Sequence, residues 1–133
     1  MPAVPRTILL IDDDEFVAGS LRHYLVSQGW RVDNAHDAGA ATALMTANHY
    51  SVILVDPYLT GSFHQDGRAL IASIQRMQPD APVIVLTGYR SPEVNDPAAA
   101  LAVAAILAKP QSVVALENIL VRASAGRETG QVP

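Results

Sequence analysis

The chain has no cysteine, which excludes a disulfide framework and any thiolate metal site. That absence suits a reducing cytoplasm. Lysine is nearly absent too: of nine basic residues, only Lys109 is not arginine. No basic cluster of the kind a nucleic-acid binder needs is present. No apolar run approaches the roughly 20 residues of a membrane-spanning helix. The opening MPAVPRTILLIDDDEF has too short an apolar run for a signal peptide and lacks a cleavage pattern. A cytoplasmic protein is expected.

What is present is enough for one hydrophobic core. The 133 residues are 50% hydrophobic and 17% charged, the balance of a globular domain. The net charge of −4 is concentrated: Asp12, Asp13, Asp14, Glu15 and Asp56 all lie at ends of aliphatic runs, and the other eight acids face nine bases. In ILLIDDDEF four carboxylates follow four aliphatic residues. At 4 Å and an effective dielectric near 20, each pair repels by roughly 4 kcal/mol. Two readings fit: an acidic helix start, since Asp is a good N-cap, or a site that binds a cation.

Short aliphatic runs alternate with segments of helical period. The runs are TILLI (7–11), WRVDNA (30–35), SVILVD (51–56), PVIVLT (82–87) and AAILA (104–108). Three are nearly continuous in Val, Ile and Leu, as in a parallel sheet covered on both faces. Between them, Val17, Leu21, Tyr24 and Leu25 share one helical stripe that Gly29 ends. Asp37 caps a second helix with Ala40, Ala41, Leu44 and Met45 facing inward. Leu70, Ile71, Ile74 and Met77 mark a third. A short fourth, AAALAVAA, follows Asp96 and Pro97, and Ser112 opens a last helix through Val113, Leu116 and Leu120. This is a five-fold βα alternation, hence a doubly wound α/β fold with a parallel sheet between two helical layers. The domain is expected over 1–124, with the polar AGRETGQVP end (125–133) a disordered tail or the start of a linker.

In such sheets ligands collect beyond the carboxyl ends of the strands. The residues there are Asp12 and Asp13, Asp56, Thr87 and Lys109. Hard carboxylate oxygens with room for water suit Mg²⁺ beside a phosphate. A carboxylate next to that ion can take a phosphoryl group, with a lysine and a hydroxyl stabilising the charge on the transferring oxygens.

These residues resemble the receiver domains of bacterial response regulators, over about Thr7 to Ala123. The likeness rests on IDDD, the Asp of VILVD, the Thr of VIVLTG and the Lys-Pro of ILAKP, in that order. It implies a flavodoxin-like sheet of order 2-1-3-4-5 and a phosphoacceptor of a two-component or phosphorelay system, not an enzyme in its own right. Asp56 would accept phosphate from a histidine kinase or phosphotransfer protein. Asp13, Asp56 and the backbone carbonyl of Tyr58 would bind Mg²⁺, with Asp12 acting through water. Lys109 and Thr87 would contact the phosphoryl oxygens. Tyr58 and Tyr89 would flank the path of hydrolytic water. Output would pass to a protein partner or a second copy through the face formed by the fourth helix, the fifth strand and the last helix.

Several positions depart from the pattern. Thr60 stands where receivers carry Pro, and Gly67 arrives three residues later than the family's Gly, so an enlarged loop holding His64 is expected. Ile106 replaces the aromatic switch residue, and Ala102-Val103 the usual Gly-Ala. Two alternatives stand beside the receiver. One is a haloacid-dehalogenase-like phosphatase with Asp12 as nucleophile and Asp14 as acid, which leaves Asp56 unexplained. The other is a degenerate receiver acting by contact alone.

Overall fold

Five strands join in one parallel sheet of order β2-β1-β3-β4-β5, as the resemblance implied. The computed structural model describes residues 6–57, 64–88 and 103–130. The strands are β1 (Thr7–Ile11), β2 (Arg31–Ala35), β3 (Val52–Val55), β4 (Val83–Thr87) and β5 (Ala105–Ala108). Among the described residues the helices are α1 (Glu15–Ser27), α2 (Ala38–Ala47), α3 (His64–Met77) and α4 (Val113–Gly130). The Ala-rich helix expected after Pro97 lies outside them.

Burial follows strand position. Every residue of the central strands β3 and β4 is buried, while β5, at one edge, is half-buried throughout. Successive side chains alternate between faces, so each strand feeds two cores. Leu9, Ile11, Ile53, Val55, Val83 and Val85 pack with Ala41 and Met45 of α2 and Ile71 and Ile74 of α3. Ile8, Leu10, Val52, Leu54, Ile84 and Leu86 pack with Leu21 and Leu25 of α1 and Leu116 and Leu120 of α4.

Helix ends follow local chemistry. Asp14 caps α1, its Oδ1 accepting from the N–H groups of Phe16 and Val17, and Gly29 leaves that helix with φ +91°. Asp37 Oδ1 accepts from Ala40 N at 2.7 Å, and Ser112 Oγ accepts from Ala115 N at 3.0 Å. Trp30 lies on the approach to β2, its indole in the core beside α4. The last helix runs to Gly130, so residues 125–130, expected as a disordered tail or the start of a linker, have helical backbone.

Candidate functional site

Strand register decides which side chains meet at the carboxyl edge. Ile11 pairs with Val55, so Asp12 and Asp56 leave the sheet side by side. Their backbones are pinned there: Asp56 N donates to Ile11 O at 2.8 Å, and Asp12 N to Ala35 O at 3.1 Å. On the other flank Thr87 pairs with Ala108, and Lys109 N donates to Thr87 O at 2.9 Å. The next peptide bond, Lys109–Pro110, is cis.

From that position the Lys109 side chain reaches both acids. Its Nζ donates to Asp12 Oδ2 at 2.8 Å and to Asp56 Oδ2 at 3.0 Å. Both carboxylates are 8% exposed and Thr87 is 2% exposed, so the cluster is sunk into the rim. Burial pushes the Asp12 carboxyl above the usual aspartate range; hydrogen bonds from Lys109 and Asp14 N–H oppose that rise, and the Asp56 charge adds to it. For Lys109, burial acts to lower the pKa, but the two carboxylates outweigh it and hold the ammonium above the ordinary lysine value.

The second Asp12 oxygen is also engaged: Oδ1 accepts from Asp14 N at 2.9 Å. Beneath the carboxylates, between α1 and the sheet, lies a cleft of about 10 Å³ walled chiefly by Leu10, Val17, Leu21, Leu54 and Leu86. It is too small and too apolar for a ligand, so any reactant arrives from the open rim.

The structure therefore brings together Asp12, Asp56 and Lys109, with Thr87 at the adjoining strand end. Asp13 is exposed. Among the described residues no group of three or more acidic or histidine side chains is arranged to hold a metal. Ile106 lies in β5, partly buried against the α2–α3 core. Tyr58, Thr60, Tyr89 and Ala102 lie outside the described residues. His64, expected in a loop, has helical backbone as the first residue of α3. The Asp14-to-Asp12 hydrogen bond escaped the sequence reading, although Asp at i and N–H at i+2 is a recurrent turn chemistry.

Fold and site define a doubly wound α/β protein of flavodoxin-like strand order, with an acid pair clamped by one lysine. Residues 8–121 match the response regulator receiver domain, and the chain belongs to that family. It is 33% identical to the nitrogen assimilation regulatory protein NtrX of Azorhizobium caulinodans over 82 residues, covering 62% of this chain and 18% of that protein. The chain thus spans less than a fifth of that relative's length. A response regulator from Burkholderia pseudomallei, solved with a phosphorylated aspartic acid, a calcium ion and citrate, superposes with a TM-score of 0.77 at 32% identity. The match covers 96% of this chain and 73% of that one. A CheY-like receiver from Methanospirillum hungatei gives a TM-score of 0.85 at 23% identity, over 96% and 99% of the two chains; it speaks to the fold alone. Response regulators receive phosphate from histidine kinases, and receiver domains generally bind Mg²⁺ in their acidic pocket. No described helix is long and apolar enough to cross a membrane.

Proposed function

We propose that this receiver takes a phosphoryl group onto Asp56 in a Mg²⁺-dependent reaction, from a histidine kinase or histidine phosphotransfer protein. One observation carries the reading: a single ammonium lies within 3.0 Å of an oxygen of both Asp12 and Asp56. The carboxylate pair is thus already a cation site, and its hard oxygen donors fit Mg²⁺. Asp13 and Asp56, the backbone carbonyl of Tyr58, and Asp12 through water would hold the ion. When bound, it supplies positive charge against the transferring phosphoryl oxygens.

The chain's own residues do the rest. An Asp56 oxygen attacks phosphorus, the P–N bond to the donor imidazole breaks, and an aspartyl phosphate forms. Lys109, held beside Asp56, pairs with the new phosphoryl oxygens, and the Thr87 hydroxyl donates to them. Tyr58 and Tyr89 slow hydrolysis by screening the phosphoryl group from water. The domain assists its own phosphorylation and dephosphorylation without being an enzyme toward other substrates.

Charge and exposure support a protein donor arriving at the rim. Asp13, Asp14 and Glu15 are exposed there beside Phe16, which is 83% exposed. Half-buried β5 and the exposed Val114 of α4 suit a second surface, toward an output protein or a second copy. With Ile106 in place of an aromatic switch, movement of Thr87 passes instead to the segment of residues 88–103. The receiver domain is residues 1–124, and the compartment is the cytoplasm. The phosphatase reading gives Asp56 no role, yet Asp56 shares Lys109 with Asp12, and Asp14 Oδ1 accepts from two N–H groups of α1.

Intact-mass analysis after acetyl phosphate and Mg²⁺ tests the assignment. Wild type and Asp12→Asn should gain one phosphoryl group, the latter slowly, and Asp56→Asn none. Full labelling of Asp56→Asn with none in Asp12→Asn would overturn it.

A further inference from the structure

Three residues, Asp12 to Asp14, carry the chain from β1 into α1, and hydrogen bonds lock both ends of that link. At one end Asp12 N is held by Ala35 O. At the other, Asp14 closes the first turn of α1 three times over: Oδ1 accepts from Phe16 N at 3.1 Å and Val17 N at 3.2 Å, and its carbonyl accepts from Ala18 N at 3.0 Å. Between the ends, Asp14 N–H donates to Asp12 Oδ1 at 2.9 Å.

We propose that Asp14 is a positioning residue for the acidic pocket, aiming the Asp12 carboxylate through its backbone N–H. A carboxylate is planar, so holding Oδ1 against Asp14 N–H fixes the direction of Oδ2. That is the oxygen facing Lys109 at 2.8 Å. The donor can aim because its own position is set by the cap. Without the Asp14 side chain, Phe16 and Val17 N–H turn to water, the first turn frays, and the amide that holds Asp12 moves with it. Val17 also lines the floor beneath Asp12 and Asp56, so the same turn shapes the pocket from below. Outer groups that orient ligand carboxylates tune metal affinity in this way. The inference rests on the Mg²⁺ reading above and extends it to a residue with no ligand role.

The fold contains its own control. Asp37 caps α2 by the same chemistry, at 2.7 Å to Ala40 N, and belongs to no part of the pocket. Calorimetric Mg²⁺ titration and thermal unfolding of Asp14→Ala, Asp14→Ser and Asp37→Ala are therefore decisive. Asp14→Ala should weaken Mg²⁺ by about tenfold. Asp14→Ser, which keeps a capping oxygen without the charge, should regain most of that affinity. Asp37→Ala should unfold at a lower temperature but bind Mg²⁺ as wild type does. Unchanged affinity in Asp14→Ala, an equal loss in Asp37→Ala, or no recovery in Asp14→Ser would each overturn the proposal. A metal-free measurement separates it from the function itself: the Asp14 amide should resist hydrogen exchange in wild type and lose that protection in Asp12→Ala. Protection without Mg²⁺ binding would defeat the metal reading, and absence of protection would defeat the positioning role.

Discussion

Lys109 Nζ lies 3.0 Å from Asp56 Oδ2, tying the end of β5 to the end of β3 across the intervening β4. Removing that ammonium leaves two neighbouring carboxylates without their shared cation. Lys109→Met should destabilise the metal-free protein by about 1–2 kcal/mol, since hydrogen bonds to charged groups are worth more than neutral ones but the rim is partly open to water. Adding Mg²⁺ should narrow the deficit by supplying the missing charge. Urea unfolding with and without the ion measures both. Mg²⁺ affinity itself should not fall, whereas phosphotransfer to Asp56 should slow.

Asp12 gives a pH signature. Its folded pKa is raised above 3.8, mainly by burial, so the folded state holds the proton more tightly than the unfolded chain. Its contribution to stability is full below the unfolded value and is lost as pH rises through the folded one. Asp12→Asn abolishes that term. The stability of wild type relative to Asp12→Asn should fall as pH is raised from 3.8 through the raised value. Urea midpoints over that range, without Mg²⁺, check the sign.

At the other end of the molecule, the Trp30 indole N–H donates to Glu117 Oε2 at 3.1 Å, while Trp30 is only 4% exposed. Glu117→Ala strands a buried donor and should cost about 1–3 kcal/mol. Glu117→Gln keeps an acceptor and should cost less. The emission of Trp30, the single tryptophan, follows the unfolding directly.

Phe16 and Gly19 share the outer face of α1, one turn apart. Phe16 is exposed, and a Cβ at Gly19 would meet nothing within 4 Å. Phe16→Ala should leave stability within about 0.5 kcal/mol of wild type, and Gly19→Ala should raise it by up to about 1 kcal/mol. If a protein donor docks on this face, both variants should accept phosphate more slowly from a phosphohistidine protein and at the wild-type rate from acetyl phosphate. Equal rates from both donors would move the docking surface elsewhere.

Local chemistry made much of this molecule legible in advance. Short runs located the strands to within a residue at each end, and the nearly continuous ones lie where burial on both faces leaves no room for polar alternation. Asp37 and Ser112 marked helix starts, since a cap bonds only to its own next turn. Asp12, Asp56, Thr87 and Lys109 emerged as a set because each ends or follows a strand. Partners distant in the chain were another matter. Nothing in the order of residues placed the indole of Trp30 on Glu117. Nor did it place Gln78 so that its amide bonds Met45 O, Asn48 O and Tyr50 N. Asp12 and Asp13 are chemically identical neighbours, yet one is buried against Lys109 and the other exposed. Periodicity and capping act within a turn or a strand, where covalent spacing sets the geometry. Which of two adjacent carboxylates meets a lysine 97 residues away depends on strand register, which exists only once the sheet has formed.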